Sequence, residues 1–275
     1  MTPVWWYPFD DGRSGDCCWD QEIVRWLTAG CEAVAERPQY GMVVIPGRYH
    51  DISEVNEQLS AMAWVLAVVT SDEEAVFPAG RLAHPHMRLW VQAPKHPEGA
   101  RALPLGWTPH TRMTGEPPEK PLDWFFSGQV THRRREECVE VLRTLDVGAL
   151  FETAGFTQGL EPAEYVAWLA SAKVAPCPSG PVWTDTFRMW EALEVGAIPV
   201  LDTVTGEGLA QEDYWGRLLG DHPLPTVERW EEFPAILEGL LADWPVSANR
   251  IQAWWLTHKR GLRQRFRTDL AELAG

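Results

Sequence analysis

Lysine is scarce in this chain: of 24 basic residues in 275, only Lys95, Lys120, Lys173 and Lys259 are lysine. Acidic residues number 39, giving a formal charge of −15, which opposes nonspecific adhesion to nucleic acid or to an anionic membrane. Cysteine is sparse too. Five cysteines, with Cys17 and Cys18 adjacent and no CxxC pair, supply neither a disulfide framework nor a zinc ligand set, and fit reduced thiols. Long apolar runs are missing. The longest, residues 61–69, falls far short of the roughly 20 residues of a membrane span, and the opening MTPVWWYPFDD has no signal-peptide pattern. A soluble, cytoplasmic protein without membrane contact is the expectation. GxxxxGKS/T, HExxH, GxSxG and EF-hand loops are also absent, which removes support for a P-loop hydrolase, a zincin, a serine hydrolase or a calcium sensor.

What is present is core material, 45% hydrophobic residues with 16 tryptophans, enough for one large domain or two small Rossmann-like ones. The most informative stretch is KVAPCPSGPVWTDTFRMWEALEVGAIPVLD, residues 173–202. It reads as strand, turn (Pro178, Ser179, Gly180, Pro181), helix, Gly196, strand. Thr184 or Asp185 would cap the helix, whose apolar residues Phe187, Trp190 and Leu193 recur at helical spacing. Arg188 and Glu191, three apart, share one face. A helix N-terminus with an arginine one turn in suits a diphosphate, and a carboxylate beyond it suits ribose hydroxyls. An ordinary capped helix with an Arg/Glu surface pair fits the same spacing.

The longer segment 165–203 resembles the donor-binding signature of exostosin-like glycosyltransferases, through Tyr165, Leu169, Ser171, Lys173, Pro178, Gly180, Asp185, Thr186, Arg188, Trp190, Glu191, Ala192, Leu193, Gly196, Pro199 and Val200. The resemblance implies an α/β, GT-B-like fold with two Rossmann-like domains facing a central cleft. It also implies a nucleotide-sugar donor, UDP-type, in the C-terminal domain, with no tightly bound cofactor. The family pattern opens its donor domain with a strand, F-x-G and a later arginine, here Gly128 and Gln129 followed by Arg133, Arg134 and Arg135, any of which answers to it. No DxD triplet of the GT-A manganese type occurs, so the expectation is that arginines and helix N-termini neutralise the leaving diphosphate without a metal. The donor-pocket set is therefore Gly128, Gln129, Arg133, Arg134, Arg135, Ser179, Gly180, Thr184, Asp185, Arg188 and Glu191.

Elsewhere the pattern predicts helices over 20–37 and 52–61, strands over 41–46, 64–69 and 87–93, and a proline-rich linker over 103–121. Domain bounds follow: 1–115 for the acceptor, 116–245 for the donor, and 246–275 as helices returning to the first domain. An inverting transferase needs a base for the acceptor hydroxyl. Asp72 and Glu73, at the end of a predicted strand, are the first choices, with His50 and Asp20 behind them. The acceptor is a surface glycan or a hydroxymethylated base of phage DNA. The basic run Lys259, Arg260, Arg263, Arg265 and Arg267 would meet phosphates in the second case, or complement the acidic first domain. A non-catalytic sugar- or nucleotide-binding module is the rival from another class.

Overall fold

The computed structural model describes residues 1–9, 12–15, 18, 21–72, 75–92, 97–111, 118–155, 158–210 and 214–275. It comprises two parallel-sheet α/β units, each Rossmann-like. One is Met1–Gly106 with Lys259–Gly275, the other Trp107–His258. None of its helices, among the described residues, is long and apolar enough to cross a membrane.

The first unit carries a six-stranded sheet: β1 (Pro3–Trp6), β2 (Glu32–Val34), β3 (Gly41–Pro46), β4 (Val65–Thr70), β5 (Met87–Val91) and β6 (Arg101–Ala102), in the order β2-β1-β3-β4-β5-β6. Every ladder is parallel. β3 and β4 are buried at each residue, as parallel strands covered on both faces must be, and this is why their sequences are continuous apolar runs. On one face Trp5, Val43, Ile45, Val65, Ala67 and Val69 pack against Val55 and Leu59 of helix α2 (Ile52–Ser60), capped by Asp51 through Ser53 N.

The helix expected over 20–37 is much shorter. α1 spans Glu22–Leu27, and Gly30, at φ +96°, turns the chain where a residue with a Cβ would be strained. Glu32 N then bonds Thr2 O, so Val34, within the span expected to be helical, sits on an edge strand. β1 carries the opening tryptophans into the middle of the sheet, with Trp5 and Trp6 buried.

The second unit has five parallel strands: β7 (Leu122–Gln129), β8 (Gly148–Thr153), β9 (Ala172–Cys177), β10 (Ile198–Asp202) and β11 (Thr226–Val227), in the order β11-β10-β9-β7-β8. Its helices are α3 (Arg133–Leu142), α4 (Pro162–Ala170), α5 (Phe187–Glu194), α6 (Tyr214–Leu219), α7 (Phe233–Ala242) and the start of α8 (Val246–Ala274). The Lys120 ammonium donates to three carbonyls, Ala170 O, Ala172 O and Val195 O, tying α4, β9 and the end of α5 together. Burial pushes its pKa down to about 8. From Lys259 onward α8 belongs to the first unit, where Asp269 accepts from Trp90 Nε1 and from Arg101.

Both sheets share one topological property. In each, the first strand lies between the second and the third, so successive crossovers leave in opposite directions from the gap between the first and third strands. Open α/β sheets bind ligands at the carboxyl ends beside that gap. The topology thus marks the β1/β3 edge in the first unit and the β7/β9 edge in the second.

Candidate functional site

At the carboxyl end of β7 stand Gly128 and Gln129, and at that of β9 the loop Pro178–Ser179–Gly180 that leads to α5. Two arginines converge here from two helices. Arg188, in the first turn of α5, donates to Ser127 O and lies over the Phe126 ring, its Cζ 4.3 Å from the centroid. A Cβ on Gly128 would fall 2.5 Å from Arg188 Nη2, so glycine at this position leaves the guanidinium its place. Arg135, on the inner side of α3, donates through Nε to Ser179 O at 3.3 Å and through Nη1 to Gln129 O at 3.1 Å. Burial, with the nearby Arg188 charge, pushes the pKa of Arg135 down to about 10. Among the described residues no carboxylate pairs with either guanidinium.

The surroundings are equally unsatisfied. Ser179 Oγ, Thr186 Oγ1 and Arg188 Nε are buried without a hydrogen-bond partner. Buried polar atoms are paired in the large majority of cases, and buried charges are paired or shift their pKa. Two like charges plus orphaned hydroxyls, at the carboxyl edge of a Rossmann-like sheet, form a cluster electrostatically suited to an anion.

The other arginines of the run do different work. Arg133 is 82% exposed and pairs with Glu137. Arg134 is buried, held by Asp202 through Nε (3.1 Å) and Nη2 (2.7 Å), by Glu137, and by Glu228 O. Successive residues on a helix are turned by about 100°, so three consecutive arginines face solvent, β10 and the β9–α5 loop. Of Arg133, Arg134 and Arg135, the structure brings only the last to Ser179 and Gln129.

Around α5 the expected caps are replaced. The N-cap is Thr186, whose side chain makes no capping bond, rather than Thr184 or Asp185. Thr184 is buried, and Asp185 accepts from Trp190 Nε1 at 2.8 Å and from Tyr214 OH at 3.4 Å, holding the loop to α5 and α6. Gly180 O accepts from Gly206 N, and a Cβ on Gly206 would fall 2.5 Å from Pro181 O, so a second glycine closes the far side of the loop. Arg188 and Glu191 do not form a surface pair, for both are buried. Glu191 Oε1 accepts from Thr108 Oγ1 (2.7 Å) and Thr111 Oγ1 (3.4 Å), and Oε2 accepts from Tyr165 OH (2.8 Å). Burial and the Glu191 charge push the Tyr165 pKa well up, keeping that phenol a donor. A carboxylate has about four acceptor positions, so one remains.

Sequence reading passed over two pocket residues. Thr186 was read only as part of the family pattern, and its orphaned hydroxyl has no sequence signal. His132, beside Arg135, has none beyond its place before the arginines.

In the first unit the β1/β3 edge is aromatic. Tyr7 and His50 meet edge-on at 4.8 Å between centroids, and Phe9 lies 5.3 Å from Tyr49 and 5.5 Å from His50. Tyr49 is 56% exposed. Asp72, the expected base, is buried, and its two oxygens accept from Val76 N and Phe77 N, both at 2.9 Å. Ser71 and Ala75 flank it at positive φ, 54° and 55°. Two backbone donors on its oxygens make Asp72 a tie between the end of β4 and Val76 and Phe77. Glu73 and Asp20, the companion choices, lie outside the described residues. Asp72→Ala should lower unfolding free energy by about 1–3 kcal/mol, read by chemical denaturation. An unchanged midpoint would contradict this role.

Comparison with known proteins gives the following. Residues 156–273 match the family described as RXYLT1 C-terminal domain, a glycosyltransferase-related family; the matched segment includes Ser179, Thr186, Arg188 and Glu191 but begins after Arg135. Among solved structures, the chain is similar to a T4 phage BGT in complex with its UDP-glucose substrate, at 13% identity and TM-score 0.45, covering 98% of each chain. It is similar also to an O-GlcNAc transferase mutant of Thermobaculum terrenum, at 13% identity and TM-score 0.46, over 94% of this chain and 55% of that one. A third, the glycotransferase of kitacinnamycin, has 14% identity and TM-score 0.36, over 90% and 73%. No curated protein sequence matches.

Proposed function

We propose that this protein is a nucleotide-sugar-dependent glycosyltransferase whose second unit binds the donor, a UDP-type sugar, at the β7/β9 edge. The observation that carries the reading is the pair of guanidinium groups, Arg135 half-buried and Arg188 buried, with no carboxylate on either among the described residues and orphaned hydroxyls beside them. A diphosphate supplies the missing charge. In transfer, negative charge grows on the leaving diphosphate, and preorganised cations lower the barrier where that charge develops. The remaining acceptor position of Glu191 takes a ribose hydroxyl.

The first unit then holds the acceptor at its β1/β3 edge, where Tyr7, Phe9, Tyr49 and His50 offer ring faces to a sugar or a base. The acceptor is a glycan hydroxyl or a hydroxymethylated DNA base, and the base catalyst comes from the loop after β4, where Asp72 fixes the turn and Glu73 follows. One observation favours the rival, a binding module without turnover: both Asp72 oxygens are engaged by backbone.

A thermal-shift screen of nucleotide sugars on the intact protein tests the reading. At one hundred times its Kd, the correct donor stabilises the fold by about 2.7 kcal/mol and should raise Tm visibly, with slow donor hydrolysis separating enzyme from binding module. Absence of a shift with every nucleotide sugar would sink the proposal.

A further inference from the structure

His132 ends the turn between β7 and α3. It is the N-cap residue of α3, in extended conformation, and its side chain makes no capping bond. Both ring nitrogens are buried without a hydrogen bond of normal geometry, although the Ser179 backbone lies close enough to favour the protonated ring. The charged groups facing it are all cationic. Arg135 and Arg134 flank it on α3, and Arg188 stands beyond Arg135 on α5. The carboxylates of Asp202 on β10 and Glu137 on α3 both accept from Arg134. Among the described residues the Ser179 backbone is the one neighbour within reach of this imidazole, which leaves at least one ring nitrogen without a partner.

We propose that His132 is a third binding residue of the anion pocket, its imidazole hydrogen-bonding a diphosphate oxygen alongside Arg135 and Arg188. The inference rests on the donor reading above and adds a residue to it. Without ligand, burial and the Arg135 charge hold the ring pKa down to about 4, so the ring is neutral at pH 7. An anion beside it reverses the sign of the local field, and the imidazolium becomes the favoured form. Binding therefore takes up a proton at His132, and affinity gains from that residue as pH falls from 8 towards 5.

Calorimetry of the full chain with inorganic pyrophosphate and with UDP tests this, using wild type, His132→Phe and His132→Asn. Phe keeps a ring and removes both nitrogens; it should weaken pyrophosphate and UDP roughly tenfold to a hundredfold. Asn keeps one donor and one acceptor and should restore most of the affinity at pH 8. Titrations at pH 6 in buffers of different ionisation enthalpy should show wild type taking up more protons per ligand than His132→Asn, a difference from which the ligand's own titration cancels. Pyrophosphate binding within twofold of wild type in His132→Phe, or equal proton uptake in wild type and His132→Asn, overturns the inference. If His132→Phe does not fold, the Asn comparison still decides. Wild type that binds pyrophosphate but no nucleoside diphosphate overturns the nucleotide reading and leaves His132 in place; wild type that binds neither overturns both.

Discussion

Asp202→Ala should cost the second unit about 3–5 kcal/mol of stability, roughly 6–20 °C in Tm for a unit of this size. Asp202 ends β10 with no exposed surface and accepts five donors: Arg134 Nε and Nη2, Trp230 Nε1 (3.1 Å), Ser179 N (3.3 Å) and Val204 N (3.0 Å). Removing the carboxylate strands a buried guanidinium whose remaining ionic partner is Glu137, and leaves an indole and two backbone N–H groups to find acceptors. The unpaired charge dominates the cost, because desolvating an ion without a partner exceeds the loss of any single neutral hydrogen bond. Asp202→Asn, with the shape but not the charge, should fall between wild type and alanine. The loss should reach the anion pocket, since Asp202 anchors Ser179 and the Ser179 carbonyl receives Arg135. Chemical denaturation giving a change below about 1 kcal/mol would refute this account.

Asp202 also shows what can and cannot be read from the chain. Its position was legible: the apolar run IPVL after Gly196 marks β10, and Gly196 sits at φ +73° as a helix C-terminal glycine requires. Its role was not, because an aspartate at a strand end looks the same whether it faces water or a guanidinium. β3 and β4 were legible for the same reason as β10, being buried on both faces and so written as apolar runs. β2 and β6 were not. Three and two residues long, on sheet edges, they have no run or period to detect, and Glu32 and Arg101 in them read as solvent. β1 was not legible either, being four residues, PVWW, too short to show a period. The pocket divides similarly. A strand, a glycine and a group of arginines point to the proposed anion site to within a turn of helix. Choosing Arg135 over its two neighbours needs the rotation of α3 relative to β10, which is a tertiary fact. For Asp72 the chain shows an acid at a strand end suited to a base, and only the structure shows its two oxygens accepting from Val76 N and Phe77 N.

Arg188→Met should weaken donor binding by a hundredfold or more while leaving the fold at least as stable as wild type. The two effects share one cause. In the free protein the guanidinium is buried beside Arg135 and, among the described residues, is met by Ser127 O and the Phe126 ring, with Nε unpaired. Such a group is retained at a cost, and a hydrophobic residue of similar volume at a buried charge is often neutral or stabilising by about 1–4 kcal/mol. Methionine fills the space over Phe126, removes the repulsion and lets the pKa of Arg135 rise towards its ordinary range. The same change removes half of the positive charge that faces the loop. A buried charged hydrogen-bonded contact with a ligand is commonly worth 2–5 kcal/mol, which sets the hundredfold floor. Arg188→Lys keeps the charge but loses the flat group that stacks on Phe126 and fits the space left by Gly128, so its affinity should recover only in part. Denaturation and calorimetry on the same preparations separate the outcomes. Wild-type affinity in Arg188→Met refutes a binding role. Reduced affinity with a matching loss of stability assigns Arg188 to the scaffold, and reduced affinity with stability retained is the signature of a residue kept for its ligand.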